Sequence, residues 1–234
     1  MQKSLFSTAS RGVLIVSALI IMSMLLMNVS TVFAADDVEG QGIVDKCRVT
    51  FTGFMNDKNY SWLQENFKKA KGVLIFPQVL KAGFFLGGSG GTGVLLVKDR
   101  SGIWSQPAFY TLGSVTFGFQ IGGEAAEVVM MVMSQKAVDS LYASSAKLGG
   151  DTSIALGPVG AGATGNVRAD FISFAKSKGL YAGLNLQGSV LAVRDKLNHS
   201  YYHKTVSPVG IIVEKKASNK GSSRLRAAVE KAAR

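Results

Sequence analysis

A glycine-rich stretch, GFFLGGSGGTGVLLVKD, runs from Gly83 to Asp99 and constrains the fold of this chain more than any other segment. The apolar run that closes it, Val94 to Val97, is followed by a turn and is typical of a strand. Glycine inside strands permits sharp coiling and close backbone approach, which curved sheets and small barrels require. The stretch therefore predicts a β-sheet that bends.

The same stretch matches two short catalytic or binding patterns. Gly88, Gly90 and Gly93 fit the spacing G-x-G-x-x-G of a dinucleotide loop. Such a loop must open a helix, because the amides at the helix N-terminus hold the pyrophosphate. Here a short strand follows instead. The spacing also recurs at Gly160, Gly162 and Gly165, before another predicted strand, so neither match predicts nucleotide binding.

The residues from Gly87 to Gly91 also fit G-x-S-x-G, the nucleophile elbow of serine hydrolases. Ser89 would be the nucleophile, Asp170 or Asp195 the orienting acid, and His199 or His203 the base, in the order typical of α/β hydrolases. That elbow is a strand-to-helix turn, and no helical pattern follows Ser89. We therefore expect no catalytic site here.

Metal ligands and paired carboxylates give equally weak signals. His199 and His203 have a spacing that metal ligands on a helix can use, but no Cys or carboxylate cluster supplies further ligands. We interpret them as polar residues of a tyrosine-rich turn. Glu124 and Glu127 precede a strand without any sign of a cleft. The sequence predicts no metal, no cofactor and no enzyme activity.

The N-terminal segment, residues 1–34, is expected to be a secretory signal peptide. Lys3 and Arg11 precede the apolar run GVLIVSALIIMSMLLM, and Val32 and Ala34 occupy the −3 and −1 positions of a cleavage site. An uncleaved anchor is the alternative, although the run is shorter than the roughly 20 residues of a membrane span. We expect an exported, periplasmic protein that is peripheral on an envelope membrane.

The charge of the chain favours an anionic partner. Cleavage removes two basic residues and no acid, which lowers the formal charge from +11 to +9. Membrane surfaces, nucleic acid and acidic polymers all attract such a protein. Nucleic acid is the least accessible of these to an exported protein, so we expect an anionic phospholipid membrane and no nucleic acid. The oligomeric state and any protein partner are left open.

Two amphipathic helices are predicted before the β-rich region. Ile43, Cys47, Phe51 and Phe54 recur at helical spacing and define an apolar face. Cys47 is the only cysteine, and we interpret it as a buried small hydrophobe rather than a reactive thiol. A second helix, SWLQENFKKAK, is expected to open with a capping box formed by its serine and glutamine.

Strands are predicted over most of the remaining chain. They are listed by sequence: GVLIFP, closed by its proline; GVLLVKD; the alternating segment SVTFGFQI; AEVVMMVMS, apolar on both faces; DTSIAL; FISFAKS; GLYAGLNLQGSVLAVRD; and VGIIVE. One helix is expected between them, from an N-cap at Ser134 to Gly149 or Gly150. NHSYYHK is read as a short turn or helix. The fold class is α+β, with a curved or barrel-like, mostly antiparallel sheet, N-terminal amphipathic helices and one further packed helix.

Residues 35–214 are expected to form one domain, and residues 215–234 a basic tail. The tail has seven basic residues against Glu230 alone. Such composition is typical of a mobile arm or a weakly formed helix.

These segments together resemble the SYLF domain family, from about Ile43 to about Tyr202. The resemblance rests on four ordered blocks: GVLIFPQVLKAGFFLGGSGGTGVLLVKD, GIWSQPAFYTLGSVTFGFQIGGEAAEVVMMVMS, LGGDTSIALGPVG and SKGLYAGLNLQGSVLAVRDKLNHSYY. It implies phospholipid binding, membrane contact by an N-terminal amphipathic helix, and no known catalysis. The chain resembles single-domain bacterial members and shows no SH3 or FYVE module, so actin and endocytic roles are not expected to carry over.

Our leading hypothesis is reversible binding to anionic membrane lipids in the bacterial cell envelope. An envelope structural or protein-interaction module without a lipid ligand is the alternative. The candidate lipid-binding residues are basic side chains near the helix-to-strand junction and in the tail: Lys68, Lys69, Lys71, Lys81, Lys215, Lys216, Lys220, Arg224 and Arg226. The helix that carries Phe51 and Phe54 is offered as a further membrane contact, although core packing is the alternative role of these two aromatics.

Overall fold

In the computed structural model, residues 38–83, 86–117, 122–177 and 186–234 are described, and Gly40–Arg234 forms a compact unit. The predicted signal peptide lies outside the described residues. The helices are α1 (38–56), α2 (Ser61–Asn66), α3 (Gln135–Ser140), α4 (Asp195–Tyr202), α5 (Pro208–Ile212) and α6 (Ser223–Ala232). The strands are β1 (Gly72–Gly83), β2 (Leu86–Val97), β3 (Ala108–Phe117), β4 (Gly122–Val132), β5 (Ser145–Lys147), β6 (Ile154–Leu156), β7 (Phe171–Ser177) and β8 (Val190–Val193).

All of these strands join one sheet in the order β5-β8-β3-β2-β1-β4-β7-β6. The neighbours pair antiparallel, except that β6 and β7 run parallel. The two edge strands, β5 and β6, follow each other in the chain, and a bridge joins Leu148 to Thr152 between them. The sheet must therefore curl until its edges approach each other, which gives a half-barrel. The predicted α+β class with a curved, mostly antiparallel sheet is confirmed.

The glycine-rich stretch lies in β2 and faces a bulge in β1. Four residues of β1 separate Ile75 from Leu80, while only three residues of β2 separate their partners, Val94 and Gly90. Around this bulge the β1 backbone comes so close that a Cβ on Gly93 would lie 2.2 Å from the Ile75 carbonyl oxygen. Glycine is required because the bent strands leave no room for a side chain. No helix follows the stretch, in agreement with the prediction.

The bulge also corrects the expected end of the first strand. GVLIFP was predicted to stop at Pro77, but β1 continues to Gly83. Proline has no backbone N–H for a strand partner, and Pro77 lies at the shift in register between β1 and β4. The strand continues because the bulge accommodates the missing donor.

The core lies between the curled sheet and the helices. β4 is covered on both faces, and Val128 to Val132 are fully buried, as its apolar sequence predicted. The predicted apolar face of α1 also packs inward, with Cys47, Phe51 and Phe54 at most 1% exposed. Phe54 contacts Tyr60 with ring centroids 4.4 Å apart. The two aromatics of α1 therefore pack in the core, which is the alternative role expected for them.

Three other local predictions are wrong. The helix expected to run from Ser134 to Gly149 or Gly150 ends at Ser140, because Ser145–Lys147 form β5 and pair with β8. VGIIVE forms helix α5 instead of a strand. Ser207 caps that helix by accepting from the Gly210 N–H, and Pro208 occupies its first turn. Residues 118–121 of the predicted strand SVTFGFQI and residues 179–185 of the predicted strand GLYAGLNLQGSVLAVRD lie outside the described residues.

The third wrong prediction is the capping box that was expected at the start of α2. The Ser61 hydroxyl accepts from the Gly162 N–H of a distant loop. Gln64 donates to the carbonyl oxygens of Phe54 and Asp57 and so caps the end of α1. Both side chains serve tertiary contacts that a local motif does not reveal.

The tail is folded, which corrects the expectation of a mobile arm. Within residues 215–234, α6 buries Leu225 and Val229 completely, and Ala217 is 9% exposed. The small apolar face of this helix is enough to dock it on the core.

The burial of Cys47 has a direct chemical consequence. Its thiol donates to the Ile75 carbonyl at 3.3 Å, and burial raises the thiol pKa well above its ordinary value. We expect a maleimide reagent to modify Cys47 in the native protein at least about 1,000-fold more slowly than in denaturant, since modification requires opening of the core. The labelling rate, followed by mass spectrometry, checks this. Equal rates in both conditions would contradict the packing of α1.

Candidate functional site

Four lysines gather at the end of the sheet where β1 begins. Lys68, Lys69 and Lys71 precede β1, and Lys98 follows β2. The Lys98 amide donates to the Lys71 carbonyl at 2.7 Å, and its Nζ donates to the Lys68 carbonyl at 2.8 Å. These bonds fix the ends of two strands side by side. We call the four residues the basic group.

Within the basic group, the side chain of Lys98 is partly buried and lies close to the charge of Lys71. Partial burial lowers the pKa of Lys98, and the positive charge of Lys71 lowers it further. A nearby anion would stabilise the charged form of Lys98 and so oppose this lowering of its pKa. Lys98 Nζ also lies 5.7 Å from the centre of the Trp104 ring, within reach of a cation–π contact.

Trp104 joins the basic group to the C-terminal part of the chain. Its ring stacks on Phe67, with centroids 5.6 Å apart and planes inclined by 8°. Its carbonyl accepts two bonds from Arg226, from Nε at 3.3 Å and from Nη2 at 2.9 Å. Nearby, Lys215 pairs with Asp99 at 2.9 Å. This pairing, together with bonds from the Ile103 and Ser101 amides, lowers the pKa of Asp99.

A cavity of about 810 Å³ opens beside Trp104. We call it the Trp104 cavity. Its walls come from the turn after β2, from α3 and α5, and from the chain between Lys215 and Arg226. Ile103 and Val213 line it and are 54% and 55% exposed, so two large apolar side chains stand in solvent beside the cationic ones.

The nine predicted residues do not form one site. Lys68, Lys69 and Lys71 lie together as expected, and Lys215 and Arg226 lie beside them across Trp104. Lys81 is ten residues farther along β1, about 30 Å from Lys71, and lies opposite Ser89. The structure thus separates Lys81 from the other junction lysines.

The remaining three predicted residues are exposed. Lys216 pairs with Glu214 at 2.9 Å, Lys220 begins a short 3-10 helix, and Arg224 lies on α6. Their contribution to ligand binding stays a prediction.

Sequence reasoning missed Lys98, Arg100 and Trp104. The first two flank Asp99 in a turn that closes β2, where a basic residue is ordinarily read as solvated. Only the bonds of Lys98 to Lys68 and Lys71 bring it into the basic group. Trp104 had one available signal, since it is one of two tryptophans in the chain, and in the fold it forms an antiparallel bridge with Lys98.

The residues of the rejected hydrolase pattern have structural partners. Ser89 lies within β2, and its hydroxyl is 2.6 Å from that of Ser114 across the strand pair. Asp170 accepts hydrogen bonds from Ser134 and Ser153, and the Ser134 bond is the first cause of its lowered pKa. These contacts hold β-strands and a helix cap together.

The two histidines and Glu127 also have structural roles. His199 contacts the Thr205 hydroxyl at 3.2 Å, and His203 ends α4 in a left-handed conformation with φ of 49°. Glu127 accepts from the Thr50 hydroxyl at 2.7 Å, while the side chain of Glu124 lies outside the description. Across the described residues, no group of three or more His, Cys, Asp or Glu side chains is placed to hold a metal ion.

Comparison with known proteins identifies the family. A family model named Ysc84, described as "Las17-binding protein actin regulator", matches residues 113–232, about half of the chain. The chain belongs to the Ysc84 family. This confirms the SYLF resemblance. The match extends through α6, so the folded tail is part of the Ysc84 domain. The description is of a binding and regulatory protein and names no catalysed reaction.

Curated relatives support the assignment. SH3 domain-containing YSC84-like protein 1 of Rattus norvegicus is 34% identical over 149 residues, which are 62% of this chain and 44% of the relative. An SH3 domain-containing protein of Schizosaccharomyces pombe is 39% identical over 145 residues, 59% of this chain and 34% of the relative. Protein YSC84 of Saccharomyces cerevisiae is 36% identical over 143 residues, which are 58% of this chain and 30% of the relative.

This chain therefore matches less than half the length of these relatives. No solved structure matches it significantly. Within the described part of the Ysc84 domain, no helix is both long and apolar enough to cross a membrane.

Proposed function

We propose that this Ysc84-family protein binds reversibly to anionic phospholipid membranes through the basic group. The observation that carries the proposal is the fixed proximity of its four lysines, linked by the bonds of Lys98 to Lys68 and Lys71. Basic residues near an anionic bilayer contribute about 1 kcal/mol each. Four of them, aided by shallow insertion of apolar side chains, suffice for peripheral binding.

Ile103 and Val213 are the apolar contacts that fit this proposal. Both are more than half exposed, and both line the Trp104 cavity beside Lys98 and Lys215. They replace the apolar face of α1, which is buried and so unable to insert. Membrane contact thus shifts from the N-terminal helix to the turn after β2 and the end of α5.

The expected setting is the envelope of a bacterial cell, with phosphatidylglycerol or cardiolipin as the anionic glycerophospholipid. This follows from the predicted signal peptide and the formal charge of +11, and not from any contact in the fold.

Co-sedimentation with vesicles tests the proposal. We expect binding to phosphatidylglycerol vesicles in dilute buffer, a progressive decrease between about 0.05 and 0.5 M salt, and weak binding to phosphatidylcholine vesicles throughout. Salt weakens binding because the Debye length shrinks from over 10 Å to a few Å in this range. Equal binding to both vesicle types at every salt concentration would rule out an electrostatic mechanism.

A protein partner is the second candidate, and the description of the family as Las17-binding favours it. The same basic surface, or the sheet, would then engage an acidic protein or polymer. Saturable capture of one protein, in the absence of any vesicle binding, would select this candidate over the first.

A further inference from the structure

We propose that the membrane-binding surface extends beyond the basic group to Lys136 and Arg168, and that the opposite end of the sheet points away from the bilayer. We call Lys136 and Arg168 the rim pair. This inference rests on the proposed function and adds to it two lipid-contacting residues and one orientation. The basic group alone can bind a membrane in other orientations, so the two proposals can fail separately.

Backbone hydrogen bonds place the ends of four strands side by side. The Lys98 amide, after β2, donates to the Lys71 carbonyl before β1. The Lys71 amide in turn donates to the Val132 carbonyl at the end of β4, at 2.8 Å. The Met133 amide donates to the Asp170 carbonyl before β7, also at 2.8 Å. Neighbouring strands lie about 4.8 Å apart, so these ends form a row about 15 Å long.

The rim pair continues the row of cations that begins with the basic group. Lys136 lies in the first turn of α3, and the N-cap of that helix, Ser134, follows β4 by two residues. Arg168 precedes Asp170 by two residues, so the Cα atoms of the two lie within about 7 Å of each other. Lys71, Lys136 and Arg168 are all exposed. Three cations therefore stand in solvent along this end of the sheet.

The acid in this row, Asp170, is bound to neighbouring side chains and leaves the rim pair unpaired. Its carboxylate oxygens accept from the Ser134 and Ser153 hydroxyls. These hydrogen bonds lower the pKa of Asp170, and the positive charge of Lys136 lowers it further. Among the described residues, the rim pair forms no ion pair. Its charges are therefore available to an external anion.

A row of this length suits a bilayer rather than one bound anion. The basic group and the rim pair together provide six cations at the ends of four strands. An anionic bilayer presents phosphates along the whole row, and each basic residue near such a surface adds to binding. The acid Asp99 is already paired with Lys215, at 2.9 Å. Asp139 of α3 accepts a hydrogen bond from Gln135.

This contact fixes which end of the protein faces the bilayer. Lys81, at the opposite end of β1, is about 30 Å from Lys71. Binding through the rim pair and the basic group therefore keeps Lys81 beyond the Debye length, which is about 10 Å at about 0.1 M salt. The exposed apolar side chains of Ile103 and Val213 line the Trp104 cavity together with Lys98, at the end that faces the lipid.

Neutralising the rim pair tests its contribution to binding. We expect Lys136→Gln combined with Arg168→Gln to weaken binding to phosphatidylglycerol vesicles about 30-fold in low salt, the factor for two lost contacts of about 1 kcal/mol each. The matched control combines Lys58→Gln with Lys147→Gln, both exposed and away from this end of the sheet. Either pair changes the formal charge from +11 to +9. The control should bind within about twofold of the native protein, and thermal unfolding checks that both variants fold.

A fluorescent label measures the orientation directly. Cys47 is buried, so a maleimide dye reacts with a new exposed cysteine much faster than with Cys47. Lys136→Cys and Lys81→Cys are labelled separately with a dye whose emission shifts to the blue in apolar surroundings. At concentrations of phosphatidylglycerol vesicles that bind both proteins, the label at position 136 should shift and the label at position 81 should not. Equal responses at the two positions, including none at either, would overturn the orientation.

The remaining outcomes separate this inference from the proposed function. Native affinity of the rim-pair variant, together with loss of affinity when the basic group is altered, would overturn the extension and leave the proposed function standing. Equal weakening of the rim-pair variant and its control would overturn the extension, because net charge alone would then explain binding. If the native protein binds no phosphatidylglycerol vesicles in dilute buffer, both proposals are wrong.

Discussion

Replacing Gly93 with alanine is expected to lower the free energy of unfolding by about 2–4 kcal/mol. A Cβ at this position would lie 2.2 Å from the Ile75 carbonyl oxygen and 2.6 Å from the Phe76 ring. Neither partner can move away easily, since Ile75 is in the central strand of the sheet and Phe76 is fully buried. The bulge of β1 must therefore shift or the strand pair must open. Thermal and denaturant unfolding of the purified protein measure the effect.

Gly113→Ala is the matched control for this substitution. Gly113 lies in β3, one strand further along the same sheet, and a Cβ there would meet nothing within 4 Å. Alanine restricts the unfolded chain more than glycine does, so this variant should be unchanged or more stable by up to about 1 kcal/mol. If both variants lose the same stability, glycine is needed for strand conformation in general and close approach at the bulge is not the cause.

The parts of the fold that sequence predicted are those with strong periodicity. The continuous apolar run of β4 and the helical spacing of Cys47, Phe51 and Phe54 each fit a single secondary structure and a single buried face. The glycines of β2 predicted curvature because few other roles suit glycine inside a strand. These signals are local, so the sequence alone carries them.

The predictions that failed had either an ambiguous local signal or a dependence on contacts between distant residues. VGIIVE is too short to show a period, and the local signal for helix α5 is the Ser207-Pro208 pair that precedes it. The helix at Ser134 ends early because the residues after it pair with β8, more than 40 positions away. In the tail, the many basic residues indicated a mobile arm. The small apolar face formed by Leu225 and Val229 is nevertheless fully buried.

The candidate site was predicted in part for the same reason. Lys68, Lys69 and Lys71 are neighbours in sequence, so their proximity needed no fold. Lys98 lies next to these lysines only because β1 and β2 pair. Arg226 lies nearby only because α6 docks next to Trp104. Lys81 was wrongly grouped with them because a 12-residue strand, longer than expected, carries it to the other end of the sheet.

Reversing the charge of Lys68, Lys69 and Lys71 to glutamate should weaken binding to phosphatidylglycerol vesicles by at least about 100-fold. Each lysine near an anionic surface contributes about 1 kcal/mol, and the loss of three such contacts corresponds to roughly that factor. All three side chains are exposed, so the fold should tolerate the change. Co-sedimentation in low salt measures the affinity, and thermal unfolding confirms that the protein is folded.

The control for this variant must carry the same net charge. Lys46, Lys58 and Lys147 are equally exposed and lie outside the basic group, on α1, on the turn after it and on β5. Either triple reversal changes the formal charge of the chain from +11 to +5. At about 0.1 M salt the Debye length is about 10 Å, so charges far from the contact surface contribute little. The control should therefore bind within a few-fold of the native protein. If both triple variants lose affinity equally, the net charge of the chain attracts the membrane, and the basic group has no special part in it.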